Sequence, residues 1–198
     1  MKILVTGHTG ILGKGFLARF SDKYEVVGYS LDEGDDILDY DKLLSNMQGC
    51  EMVVHLAAIS KPVETASFDD YMRHNVQATG NVLRTACEAG CKRVIYASST
   101  TVYGIEKGIP FASPIREDMP TVSQYLGAED LRCRPCDLSY HMSKVMAEQE
   151  VAWYGLNKKI ETIALRFGPI GKVFLGTSVS MDNACQALDV ALSHPSAF

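Results

Sequence analysis

The segment that most constrains this chain is its first thirteen residues. A short apolar, β-branched run over residues 2–6 leads directly into Thr6-Gly7-His8-Thr9-Gly10-Ile11-Leu12-Gly13. Apolar residues then recur at helical spacing, at Ile11, Leu12, Phe16, Leu17 and Phe20. Buried strand, glycine turn and amphipathic helix therefore follow one another with no residue to spare. Helix N-termini carry unpaired N–H groups and partial positive charge. Glycines there let the turn tighten and a phosphate approach the backbone. A lone Gly-x-x-Gly-x-x-Gly is unspecific, but between a strand and a helix it points to a bound dinucleotide. Gly7, Gly10, Ile11, Leu12 and Gly13 are the candidate cofactor-binding residues of this turn.

The same alternation continues along the chain. Further strands are expected over residues 24–29, 51–57, 92–98 and 159–167. Helices are expected over residues 40–47, 69–89, 138–154 and 182–192. Asp39 is placed to cap the second helix, and Gly90 and Gly155 to stop the third and fourth. Strands alternating with helices imply an α/β fold, a doubly wound parallel sheet of Rossmann type. Residues 104–137 break the pattern. That stretch holds Pro110, Pro114, Pro120 and Pro135 and is too long for an ordinary connection, as binding loops and lids are.

Composition narrows the partners. The 198 residues include 19 basic and 24 acidic side chains, a net charge of -5, with no basic run. A nucleic-acid partner has no electrostatic support. No apolar run reaches membrane-spanning length, and residues 1–7 lack the apolar core of a signal peptide, so the expected location is the cytoplasm. The six cysteines, Cys50, Cys87, Cys91, Cys133, Cys136 and Cys185, are then expected as free thiols. Cys133-Arg-Pro-Cys136 has the spacing of half a zinc site, which Cys87 and Cys91 on one helix face could complete. The plainer alternative puts Cys87 in a helix core and the other pair in a loop, with no metal.

Tyr140-His141-Met142-Ser143-Lys144 places a phenol and an ammonium four residues apart on one helix face. Nine tyrosines and eleven lysines give three such pairs in this chain. Tyr103/Lys107 lies in the glycine-broken stretch and Tyr154/Lys158 straddles Gly155, which leaves Tyr140/Lys144 inside a predicted helix. A nearby cation favours phenolate, so Tyr140 can exchange a proton with a substrate hydroxyl. Ser98-Ser99-Thr100-Thr101 follows the fourth strand, at the sheet edge where parallel α/β proteins bind ligands. A hydroxyl there can hold the same substrate oxygen, although strand-end capping also favours Ser and Thr. The second strand ends at Tyr29-Ser30, where NAD-binding sheets place an acid. Asp32 and Glu33 come shortly after, and no Arg stands there for a 2′-phosphate.

Taken in order, these pieces resemble the extended short-chain dehydrogenase/reductase family, the NAD-dependent epimerase/dehydratase group. The resemblance runs through Thr6-Gly7-x-x-Gly10-x-x-Gly13, Asp36-Ile37-x-Asp39, Val53-Val54-His55-Leu56-Ala57-Ala58, Asn75-Val76 and Gly80-Asn81-Val82-Leu83. It continues through residues 93–99, Val102-Tyr103-Gly104, Tyr140-x-x-x-Lys144 and Leu165-Arg166-Phe167-Gly168. It implies that the three glycines hold a pyrophosphate, that Asp36 and Ile37 meet the adenine, and that Ala57 and Ala58 line the cofactor pocket. It makes Ser99 the catalytic hydroxyl, Tyr140 the acid/base and Lys144 the residue that grips the nicotinamide ribose. It puts Asn75 in the cofactor-binding set, anchoring the helix behind the site. Departures from the family pattern are Ser30, the long interval from Ser99 to Tyr140, Pro169-Ile170-Gly171 after the Arg166 motif, and an end at Phe198 where family members usually continue. The helix beginning Met181-Asp182-Asn183-Ala184 resembles the start of a late family helix.

The resulting expectation is an NAD(P)-binding Rossmann-like domain over residues 1–168, followed by a short remnant of a substrate-binding region over residues 169–198. The cofactor is NAD, with NADP possible, and no metal is expected. The expected activity is hydride transfer on a nucleotide sugar or similar hydroxyl-bearing small molecule, by an oxidoreductase or epimerase. The alternative is a dinucleotide-binding module without catalysis, or a fragment needing a partner. A homodimer across the helices that carry Tyr140 and Asn75 is a further expectation from the resemblance.

Overall fold

A computed structural model describes residues 1–60, 65–125, 138–171 and 178–195. Five parallel strands form one sheet: β1 (Lys2–Thr6), β2 (Glu25–Tyr29), β3 (Met52–His55), β4 (Arg93–Ser99) and β5 (Glu161–Phe167), in the order β2-β1-β3-β4-β5. The helices are α1 (Ile11–Phe20), α2 (Tyr40–Met47), α3 (Phe68–Tyr71), α4 (Ala78–Glu88), α5 (Ser139–Leu156) and α6 (Met181–Ser193). Strand order reverses between β1 and β3, and at such a switch point the strand ends leave a crevice for ligand.

Side-chain alternation assigns the two layers. Leu4, Val53 and Val94 point to one face, where they meet Leu43, Val82, Leu83 and Val151 of α2, α4 and α5. Ile3, Val5, Val54 and Ile95 point to the other, against Phe16 of α1 and Cys185, Leu188 and Leu192 of α6. Each such side chain taken fully out of water contributes roughly 1.5–3 kcal/mol. Because α6 packs on α1, Met181–Ser193 forms part of the sheet's own cover. Arg93, 2% exposed, ties that cover down: its guanidinium donates to the Ala191 and His194 carbonyls at the end of α6 and to Glu161.

Three local expectations change. Gly155 does not stop α5, which runs on to Leu156. A Cβ at Gly155 would stand 2.3 Å from Thr162 Oγ1, so the glycine admits β5 rather than ending the helix. Cys87 and Cys91 do not share a helix face, because α4 ends at Glu88 and the chain turns at Gly90 (φ 76°) before Cys91. Cys91 Sγ instead donates to the Cys50 carbonyl, and Cys133 and Cys136 lie outside the described residues. The helix expected over residues 69–89 is continuous but carries a π-helical turn, Met72–Gln77, between α3 and α4. The stretch after β4 is not featureless either: Val102, Tyr103, Ile109 and Val122 form a small core against Val145 of α5.

The two layers are pinned at the switch point by a line of buried hydrogen bonds. Thr6 Oγ1 accepts the Leu56 and Ala57 amides and pairs with His55 Nδ1 at 2.7 Å. His55 Nε2 meets Thr79 Oγ1 at 3.0 Å, and Thr79 Oγ1 donates to the Asn75 carbonyl. With that donor committed, Thr79 accepts from Nε2–H and Thr6 donates to Nδ1, so the line is complete only with a neutral imidazole. Burial, together with the Lys144 charge, holds the His55 pKa down at about 3. The unfolded chain takes up a proton near pH 6.5 that the folded chain refuses. Stability is therefore lost as pH falls from 6.5 towards 3, with a limiting slope of about 1.4 kcal/mol per pH unit. Urea denaturation between pH 7 and 4.5 is expected to show that slope, and His55→Gln to flatten it at the cost of a lower midpoint.

Candidate active site

The crevice at the C-terminal ends of the strands is a cleft of about 860 Å³. Its floor is the turn between β1 and α1. Gly7 takes φ 67°, and a Cβ on it would lie 2.8 Å from the Ala57 amide nitrogen. A Cβ on Gly13 would stand 2.5 Å from the Gly7 carbonyl and from His8 backbone. Neither position admits another residue, because strand, turn and helix meet there backbone to backbone. Gly10 caps α1 without a side-chain bond, so the first-turn amides of Ile11, Leu12 and Gly13 open towards the cleft they line.

The wall beyond β2 is acidic. Ser30 is 4% exposed and fully engaged: its Oγ accepts the Thr9 amide and bonds His8 Nδ1 at 2.9 Å. His8 Nε2 lies 3.1 Å from Glu33, and the ring sits where a Cβ on Gly28 would be. Thr9 Oγ1 donates to Asp32 at 2.7 Å. Asp32, Asp35, Asp36 and Ile37 line the cleft here, and Asp36 Oδ1 accepts the Leu38 amide. Ser30 and Glu33 are thus spent on locking the glycine turn to the chain after β2, which leaves Asp32, Asp35 and Asp36 as the acids lining the cleft.

Ala57 and Ala58 line the middle of the cleft, with Ile59 and Ser60. Asn75, 1% exposed, stands behind that wall rather than in it. It accepts the Ile59 amide at 2.8 Å and donates to the Ile59 carbonyl and to Ser143 Oγ. Ser143 in turn donates to the Tyr140 carbonyl. The π turn is what turns Asn75 inward. Asn75 fixes the loop after β3 against α5, as its expected anchoring role requires, but it does not itself line the cleft.

Ser99, Tyr140 and Lys144 come together in one wall. Ser99 Oγ accepts the Thr101 amide at 3.2 Å and lines the cleft beside the Tyr140 phenol. The strand-end cap and the candidate catalytic hydroxyl are thus the same residue. Lys144 is 4% exposed. Its ammonium donates to the Ala97 carbonyl at 2.9 Å and lies 4.8 Å over the Tyr96 ring. Burial pulls its pKa down to about 8, against the pull of Glu148.

The expected lowering of Tyr140 is reversed. Burial first, and then the Glu106 charge, hold the phenol above its ordinary value, while the neighbouring Ser99 hydroxyl works the other way. With the Lys144 ammonium turned to Ala97, the phenol of the isolated chain is protonated near neutrality.

Two of the cleft residues not foreseen in the sequence come from irregular turns near Tyr140. His74 lines the cleft from the π turn, and Glu106 from the 3-10 turn Ile105–Lys107. Nothing in the spacing of either marks it, since both depend on how an irregular turn is seated. Arg166 is not in the cleft. It pairs with Glu148 at 2.8 Å and donates to the Tyr103 phenol and the Glu117 carbonyl, joining β5, α5 and the loop after β4. No helix among the described residues is long and apolar enough to cross a membrane.

Comparison with known proteins agrees with this geometry. The chain is 28% identical over 174 residues to L-arabinose 1-dehydrogenase (NAD(P)(+)) of Haloferax volcanii, covering 84% of this chain and 66% of the relative. It is 27% identical over 212 residues to uronate dehydrogenase of Pseudomonas syringae pv. tomato, covering 98% and 70%. The structure superimposes on UDP-glucose 4-epimerase from Brucella ovis in complex with NAD with a TM-score of 0.69. There the identity is 25%, over 85% of this chain and 52% of that one. The chain thus spans about two-thirds of the two relatives and half of the third protein. The model of the NAD dependent epimerase/dehydratase family matches residues 3–171, and the chain belongs to that family.

Proposed function

We propose that this chain binds a nicotinamide dinucleotide and uses it to oxidise or epimerise a hydroxyl-bearing sugar, most simply a nucleotide sugar. The observation that carries this reading is the convergence of Ser99, Tyr140 and Lys144 on a cleft floored by a glycine turn too tight for any Cβ. Relatives that are sugar dehydrogenases, and a structural neighbour that epimerises UDP-glucose, support it.

The residues present fit the dinucleotide. The first-turn amides of α1, with Gly7, Gly10 and Gly13, receive the pyrophosphate. Asp36 and Ile37 meet the adenine, Ala57 and Ala58 give the middle of the cofactor a flat apolar wall, and Lys144 takes the nicotinamide ribose. Asn75 acts on the cofactor only through the Ile59 loop it holds. When bound, the nicotinamide accepts and returns the hydride of the reacting carbon. In oxidation Tyr140, having first released its own proton to solvent, takes the hydroxyl proton as phenolate; in reduction the phenol gives its proton to the carbonyl oxygen, and Ser99 holds the same oxygen. A phenol kept protonated by burial is poised first as the acid. In this reading residues 1–168 form the cofactor-binding part together with α6, which covers the same sheet, and the rest of residues 169–198 is assigned to substrate binding.

Three carboxylates at the adenosine end, Asp32, Asp35 and Asp36, oppose a 2′-phosphate. Thermal-shift titration is therefore expected to show stabilisation by NAD and NADH that grows with concentration and exceeds that by NADP and NADPH. At a hundredfold excess over the dissociation constant it amounts to about 2.7 kcal/mol. A folded chain that no dinucleotide stabilises removes this reading.

Tyr140→Phe is expected to lower turnover of a nucleotide-sugar panel by at least ~100-fold, the scale of one general acid/base, while NAD still raises the melting temperature. Unchanged turnover assigns the proton to another group. An absence of turnover in the unaltered chain that still binds NAD supports a binding module instead.

The outer face of α5 exposes Met146, Trp153 and Leu156 along one stripe. This supports pairing of two copies about a two-fold axis, and light scattering at working concentration is expected to give twice the 21.7 kDa chain mass.

A further inference from the structure

The turn Ile105–Lys107 is framed by two left-handed glycines, Gly104 (φ 67°) and Gly108 (φ 86°). A Cβ on Gly104 would stand 2.6 Å from Ile109 Cδ1, so the turn is seated on the small core beside α5. This seating brings Glu106 to the cleft wall that Tyr140 also lines. Glu106 Oε1 is bonded to Nε2 of His141, the residue after Tyr140, whose side chain is 2% exposed. The rings of His141 and Tyr140 meet edge-on, with centroids 6.2 Å apart. His141 Nδ1 is buried with no hydrogen-bond partner among the described residues. Carboxylate, imidazole and phenol thus form one cluster, and proton exchange by Tyr140 with a substrate needs neither of the first two.

A carboxylate close to a phenol, but bonded elsewhere, opposes the phenolate. The titratable groups around Tyr140 come from every side. Tyr71 faces it from α3, Tyr96 from β4 and Glu106 from the turn, while His141 and Lys144 flank it on α5 and His74 lines the same cleft from the π turn. Tyr71 and Glu106 both disfavour the phenolate, and the Lys144 ammonium is committed to Ala97. Glu106 is the carboxylate of this set, and its bond to His141 fixes where its charge sits.

We propose that Glu106, held in place by His141, is a positioning residue whose negative charge keeps the Tyr140 phenol protonated in the resting site. The proposal rests on Tyr140 being the acid/base of the preceding reading. Its effect is directional: it favours delivery of a proton to a carbonyl and delays withdrawal of one from an alcohol.

The test needs neither cofactor nor substrate. The chain is labelled with 13C-tyrosine, the Tyr140 ring signal is assigned by its loss in Tyr140→Phe, and that signal is followed by NMR as pH rises. In Glu106→Gln the Tyr140 midpoint moves to lower pH, and in Glu106→Asp, which keeps the charge, it stays near that of the unaltered chain. If the unaltered phenol does not titrate before alkaline unfolding, a transition that appears in Glu106→Gln is the expected result in another form. Glu106→Ala, which also releases His141, moves the midpoint in the same direction. Equal Tyr140 behaviour in the unaltered chain, Glu106→Gln and Glu106→Ala overturns the proposal. That outcome leaves the acid/base role standing, since the role is decided separately by turnover of Tyr140→Phe.

Discussion

The cleft depends on one buried line of hydrogen bonds, from Thr6 through His55 and Thr79 to Asn75 and on to Ser143. Its members come from four parts of the fold. Thr6 closes β1, His55 closes β3, Thr79 and Asn75 belong to the bulged helix, and Ser143 lies one turn from Tyr140. The floor, the middle wall and the catalytic wall of the cleft are therefore set by one continuous network. Every polar atom on it has a single workable assignment of donor and acceptor, which is how buried polar groups specify one arrangement rather than merely stabilising it. The glycine turn depends on this network too. Gly7 can approach the Ala57 backbone so closely because Thr6 Oγ1 accepts the Ala57 amide from the strand next door.

Around that frame, electrostatics separates the two ends of the cleft. The end beside β2 is acidic and held by polar contacts among His8, Thr9, Ser30 and Asp32. The reacting end is drier. There a phenol is pushed up by burial and by Glu106, while a lysine is pushed down to about 8 by burial alone, against Glu148. Both shifts favour the neutral form, as expected where water is scarce and each charge already has another partner. Arg166 supports this end from outside, stacked 4.9 Å from the Tyr103 ring and paired with Glu148.

Much of this could be read from the sequence, and for physical reasons. Strand and helix periods differ, so apolar spacing revealed the parallel sheet and the glycine turn. The Tyr140/Lys144 spacing picked out two residues that do share a helix face and a cleft. What could not be read were contacts set by irregular backbone. Asn75 was expected to anchor the helix behind the site, but that it does so by holding the Ile59 backbone and Ser143 depends on the π turn. Gly155 looked like a helix stop, but it makes room for Thr162. Glu106 sits in a 3-10 turn whose position depends on Ile109 and Val122, neither of which announces a site.

The sequence by itself determined the layering, the glycine turn and the chemical types in the wall of Ser99, Tyr140 and Lys144, because these follow from local periodicity and from what glycine, tyrosine and lysine can do. Only the tertiary structure decided which way the charges point. Lys144 turns to the Ala97 carbonyl instead of the phenol. Ser30 bonds to His8 and leaves Asp32, Asp35 and Asp36 to line the cleft. Glu106 faces Tyr140 from a turn that lies 34 positions earlier in the chain. Proton affinities in a buried site depend on distances between groups far apart in sequence, and those distances exist only once the sheet, the bulged helix and the loop after β4 have packed together.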